Sequence, residues 1–180
     1  MKAYKFLAAG ATGPLSGFRW PAPGPGAPGA WVQAEGPLRL CANGTHVCRA
    51  AELAHWIHDE LWETEIDGEQ LEGIDCLVVR RARLVRPAVG WLGDGPRRFA
   101  EASARHAAEL ATGAPGERAV VARALAEDAL LAAREGFVSV SAFASALAVA
   151  RLGELREQDG LYRRERAWQS AWIARVVLGA

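Results

Sequence analysis

The chain has 180 residues, 51% of them hydrophobic, with 21 basic and 21 acidic side chains. That length suits one domain spanning 1–180 with a real core, and the charge balance argues against a general nucleic-acid or acidic-membrane binder, which would carry a basic excess. Three cysteines make no disulfide framework, the apolar run after Met1 is too short for a signal peptide, and no stretch approaches about 20 apolar residues. The expectation is a cytoplasmic protein that engages neither membrane nor nucleic acid.

Ala3–Leu7 reads as a first strand with Tyr4 and Phe6 on one face. Two turn-rich segments follow, 10–17 and 21–29, dense in Gly and Pro and unsuited to helix, so they read as surface loops. Phe18, Arg19 and Trp20 lie between them and Trp31 follows; such aromatics either pin a loop to the core or line a pocket. Pro37–Cys41 reads as a short strand, Ala42-Asn43-Gly44 as a turn and Thr45–Arg49 as the next strand. Ala50–His58 reads as a short helix with Leu53, Trp56 and Ile57 as its apolar face.

In the strand Leu61–Asp67, alternation puts Trp62, Thr64 and Ile66 on one side and Leu61, Glu63 and Glu65 on the other. Asp67-Gly68 reads as its turn, and Cys76–Val85 as a strand that becomes Arg-rich. From Pro96 the period changes to 3.6. Helices are expected over Pro96–Ala111, Glu117–Arg134, Ser139–Gln158 with a break at Gly153, and Leu161–Leu178, with Gly113, Gly136 and Gly160 as stops. The last helix places Leu161, Trp168, Trp172 and Val176 on one stripe, which reads as core. The fold class is therefore α+β. A strand-rich half (1–90) with a split or curved antiparallel sheet packs on a helical half (96–178) of about four helices.

The stretch from Leu40 to Asp67 concentrates the reactive side chains. His46 and Cys48 are two apart on one strand and so share a face, and Cys41 lies across the turn. Cys41, His46, Cys48 and one of His55 or His58 are zinc ligand types, but Cys-x4-His-x-Cys is not a standard spacing and no second Cys-x2-Cys arm exists, so no metal is expected. An imidazole near Cys48 could activate its thiol; alternatively Cys48 is a small core residue with His46 as a hydrogen-bonded partner. Glu63 and Glu65 could do acid–base work if desolvated, or pair with the arginines of Arg80–Arg86. No Walker A, nucleophile elbow or dinucleotide glycine triplet is present, and no cofactor is implied.

Tyr4–Leu7, Phe18-Arg19-Trp20-Pro21, Leu40–Arg49, Glu60-Leu61-Trp62 and Glu165–Trp172 together resemble a family of actinobacterial proteins, a likeness that implies no activity. Residues 42–67 also resemble the central block of ADP-ribosyltransferase-like folds. In those folds a Gly turn leads into a strand with a Ser-Thr-Ser-type triplet, a short helix and a strand ending in an acidic pattern. Here His46-Val47-Cys48 stands in the triplet's place, and no Glu-x-Glu or Gln-x-Glu follows the next strand. Tyr4 falls where such folds carry a residue that touches the nicotinamide-ribose of NAD. The resemblance implies a split sheet with a central cleft, and an altered transferase site as one reading.

The leading expectation is a protein that binds or transforms a small molecule in a cleft of the strand-rich half. Tyr4, Trp20, Cys41 and Trp62 would be its walls, and His46, Cys48 and Glu63 its chemistry, with His46 the acid–base group or polar anchor. The alternative is a protein–protein interaction or regulatory module that docks a partner through the Trp-rich last helix and the Pro/Gly loop.

Overall fold

The computed structural model describes residues 2–179, and its architecture is α+β. Five strands precede four helices: β1 Lys2–Leu7, β2 Val32–Gln33, β3 Thr45–Val47, β4 Glu60–Glu72 and β5 Leu77–Pro87, then α1 Gly95–Thr112, α2 Glu117–Arg134, α3 Val138–Arg151 and α4 Gln158–Val177. No helix among the described residues is long and apolar enough to cross a membrane.

All strand pairs are antiparallel. The β4–β5 hairpin is the spine. β1 pairs with β4 from Lys2↔Glu65 to Leu7↔Glu60. One edge of β5 takes β3 at Leu77–Val79 and β2 at Arg81–Ala82. The sheet curls but does not close. A single bridge links β1 to the chain just past β3, where Tyr4 and Cys48 exchange two N–H···O bonds of 2.9 Å.

Two local readings need correction. Pro37–Cys41 is a turn, closed between Arg39 and Asn43, and the edge position belongs to Val32–Gln33. Pro37 has no N–H to give a ladder, and the Asn43 amide donates to the carbonyls of Glu35 (2.7 Å) and Pro37 (2.9 Å), so those carbonyls are satisfied locally. Asp67-Gly68 does not end its strand. Gly68 sits at φ +81° within an irregularity of β4, which runs on to Glu72, and the reversal comes at Gly73–Asp75.

Both faces of the sheet carry buried side chains. Tyr4, Phe6 and Leu61 face the helices, where Trp91 meets Phe6 edge-on at 5.1 Å and packs against Phe99 at 5.6 Å. Ala3, Leu7, Val47, Ile66, Val79, Ala82 and Leu84 fill the inside of the curl, capped by Trp20. Further along the face that bears Tyr4 and Leu61, Glu63 and Glu65 pair with Arg86 and Arg83, and Asp67 pairs with Arg81.

The helical half departs from expectation in two places. α3 stops at Arg151, and Gly160 lies inside the first turn of α4 instead of ending a helix. The buried side of α4 is also not the Leu161–Trp168–Trp172–Val176 stripe. It is Glu165, Arg166, Gln169, Ser170, Ile173 and Val177, with the two tryptophans flanking it. The polar members are tied down. Glu165 holds His106 at 2.9 Å, Gln169 donates to the Ala142 carbonyl at 2.9 Å, and Ser170 Oγ accepts the Ala54 N–H at 3.0 Å. Trp168 stacks on His106 at 3.9 Å, and Trp172 packs against Phe99.

Candidate functional site

A cavity of about 660 Å³ lies where the sheet fails to close, between β1 and β3. Its floor is the seam itself. Tyr4 N–H and C=O both point away from β4, since they pair with Cys48. Strand alternation then directs the N–H and C=O of Phe6 to the same edge. An extended ladder would bring Phe6 opposite His46. Instead Lys5 reaches across, and its Nζ donates to the His46 carbonyl at 2.5 Å. The ammonium takes the carbonyl that the next rung would use.

Loop 11–20 forms one wall. It is folded on itself by Gly13 N–H to Phe18 O (2.8 Å), Gly17 N–H to Gly13 O (2.8 Å) and Trp20 N–H to Ala11 O (2.8 Å). These bonds place Trp20 inward and leave Leu15 and Phe18 exposed at the rim. Residues 55–58 form the opposite rim. They follow the short segment Ala50–His55, a 3₁₀ helix that stops before the His58 end expected for the short helix. Its first turn is tightened by Arg49, whose N–H donates to Glu52 Oε2 at 2.7 Å and whose Nη1 donates to Glu52 Oε1 at 2.9 Å.

Five of the residues singled out in the sequence line this cavity: Tyr4, Trp20, Cys41, His46 and Cys48. Trp62 and Glu63 lie elsewhere. Trp62 borders a shallower hollow beyond Trp20, where its Nε1 donates to Glu60 at 2.9 Å. Glu63 is one residue along and so on the other face of the sheet, with Lys2 at 3.2 Å and Arg86 at 3.0 Å. Among the described residues no group of three or more His, Cys, Asp and Glu side chains converges as a metal site.

The site chemistry differs from residue to residue. His46 Nε2 accepts the Cys41 N–H at 3.1 Å, so this nitrogen carries no proton in the neutral ring. Burial, then the Lys5 charge, push its pKa down against the pull of the Gly44 backbone. The imidazole is thus neutral near pH 7, and it braces the turn in which Cys41 sits at φ +58°. Cys48 is buried, and its thiol is pushed up to about 12 by burial and by Glu52, so it stays protonated at neutral pH. It makes a weak contact to the Tyr4 carbonyl at 3.5 Å.

Lys5 is the residue that the sequence reading passed over. Burial brings its pKa down from 10.5 to about 8, with Cys48 acting the other way. Its Nζ lies 5.0 Å from the Trp20 ring centroid. No carboxylate reaches it among the described residues, whereas Lys2 and all four arginines of β5 have acidic partners. Comparison with protein-family models, curated proteins and solved structures finds no match to this chain.

Proposed function

We propose that this protein binds a small molecule in the cleft between β1 and β3. The observation that carries the reading is the cavity at the unclosed seam. At about 660 Å³ it has the size of a small-molecule site, roughly 300–1,000 Å³. Its wall is mostly apolar and aromatic, through Phe6, Phe18, Trp20, Trp56 and Ile57, with a few convergent polar groups at the seam. His46 serves as the polar anchor of the wall. Its ring fixes the Cys41 turn and its carbonyl holds the Lys5 ammonium. The rival docking surface has less support, because Trp168 and Trp172 are engaged with His106 and Phe99 and form no exposed patch.

Ala42 lines the cavity from an exposed turn, so a large side chain there fills the cleft with little effect on the fold. A neutral solvatochromic dye such as Nile red is expected to bind the wild type at one site per chain. Ala42→Trp is expected to abolish that binding with the circular dichroism spectrum unchanged. Absence of saturable dye binding, or binding indifferent to Ala42→Trp, would refute the cleft.

A further inference from the structure

Lys5 gives the cleft a chemical preference. We infer that its ligand is a monoanion, a carboxylate on an apolar body, whose head group is received by the Lys5 ammonium. The inference rests on the cleft reading and adds a ligand class to it.

Three observations carry it. First, Lys5 is the one lysine or arginine of the wall among the described residues, and the wall holds no Asp or Glu among them. That is unusual in a chain with as many acidic as basic side chains. Second, the ammonium has three N–H donors, of which the His46 carbonyl takes one. Also near it are the face of Trp20, which attracts a cation but does not neutralise it, and the Cys48 thiol, which stays protonated at neutral pH. A buried charge without a counter-ion is costly, and an incoming carboxylate would remove that cost. Third, alternation aims the Phe6 N–H at the same open edge, so a second donor stands beside the first.

The same inventory selects the charge and shape of the ligand. One ammonium and one amide match one carboxylate. A phosphate dianion would bring a second charge into a wall that has no arginine and no second lysine among the described residues. Beyond Lys5 and Trp20 the surface includes Phe18, Leu15 and Ile57, which suits an alkyl or aryl body.

The test uses matched probes on the full chain: octanoate against octanol, and phenylacetate against 2-phenylethanol, titrated by calorimetry into wild type and Lys5→Met. The expected result is that each carboxylate binds the wild type at least tenfold tighter than its alcohol. Lys5→Met should bring the carboxylate down to the level of the alcohol and leave alcohol affinity unchanged, which also reports that the cleft is intact. Lys5→Arg should retain part of the preference. If acid and alcohol bind the wild type equally, or if Lys5→Met binds the acids as the wild type does, the head-group inference is overturned while the cleft stands. If neither pair binds the wild type, the cleft falls and the inference falls with it.

Discussion

Where α1, α2 and α3 meet, the contact is alanine on alanine: Ala107, Ala126 and Ala148, one from each helix, are all essentially buried. Where the sheet meets the helices, it is Phe6, Trp91, Phe99 and Ile173, and on its other face Trp20 and Leu84. Small side chains let helix backbones approach closely and leave no room between them. Large rigid side chains around a curled sheet must be fitted against one another, and a seam left unpaired becomes a cavity. The cleft lies in the half built from large residues, beside the seam where β1 meets the chain past β3 through a bridge instead of a ladder.

The largest effect that would sharpen this contrast is expected at the junction. Trp91 is 1% exposed, and its Nε1 donates to the His58 carbonyl at 3.1 Å. Trp91→Ala leaves a large void between the halves and should cost roughly 3–5 kcal/mol of stability by urea denaturation. A cost below about 1 kcal/mol would mean that the halves do not rely on this contact. The helical half should show the opposite sensitivity. Ala107→Leu adds three carbons where nothing can yield, and is expected to cost roughly 1–3 kcal/mol. If it is neutral, the alanine contact is looser than its burial implies.

Much of the contrast was readable in the sequence. The helices and β4 announced themselves through period and alternation. β2 was missed because two residues after a Pro/Gly loop carry no pattern. Lys5 was missed for a more instructive reason. Between Tyr4 and Phe6 it reads as the solvent-facing position of a half-buried strand. But Ala3 and Leu7, which share its face, are apolar and fully buried, and the run is apolar on both sides. That is the pattern of a strand covered on both faces, in which a lysine has no solvent side to turn to. Cys41, His46 and Cys48 lie in one cavity wall because turn and strand bring them close in sequence, Tyr4 joins them through its bridge to Cys48, and Trp20 is brought there by its loop. What alternation could not supply was the seam, since closure of a sheet depends on curvature and on where one side chain interrupts the ladder.

Lys5 gives the next expected effect, and it is a gain. Its folded pKa of about 8 lies below the unfolded 10.5, so between those values the unfolded chain holds the extra proton and stability rises with pH. Below about 8 the burial of the charged form costs roughly 3 kcal/mol. Lys5→Met removes that cost but orphans the His46 carbonyl, worth about 1 kcal/mol, so a net gain of about 2 kcal/mol is expected at pH 7. The titratable groups facing Lys5 are His46 and Cys48, and β4 presents Trp62 and Thr64 on its side. Cys48 acts with opposite sign, because its raised pKa makes stability fall as pH rises above 9. The wild type should therefore gain stability between pH 8 and 9 and flatten beyond, whereas Lys5→Met should show only the decline. Equal pH profiles for the two proteins would show that Lys5 is solvated and not confined.

The smallest effect is expected at Glu63. It does not line the cleft, and its carboxylate is shared by Lys2 and Arg86, both largely exposed. Burial works to raise its pKa, but the hydrogen bonds and charges of Arg86 and Lys2 more than offset this, so the net shift is downward. A lowered carboxyl pKa contributes stability above the unfolded value of 4.5, and the contribution is lost as pH falls through the folded value. Because the partners are solvent-screened, Glu63→Gln should cost less than about 1 kcal/mol at pH 7 and nothing near pH 3. Dye and octanoate affinity should be unchanged, since no part of Glu63 lines the cavity. A loss of binding in Glu63→Gln with the fold intact would place the functional surface among the Arg–Glu pairs, and would undo the division between a cleft that binds and a face that is merely charged.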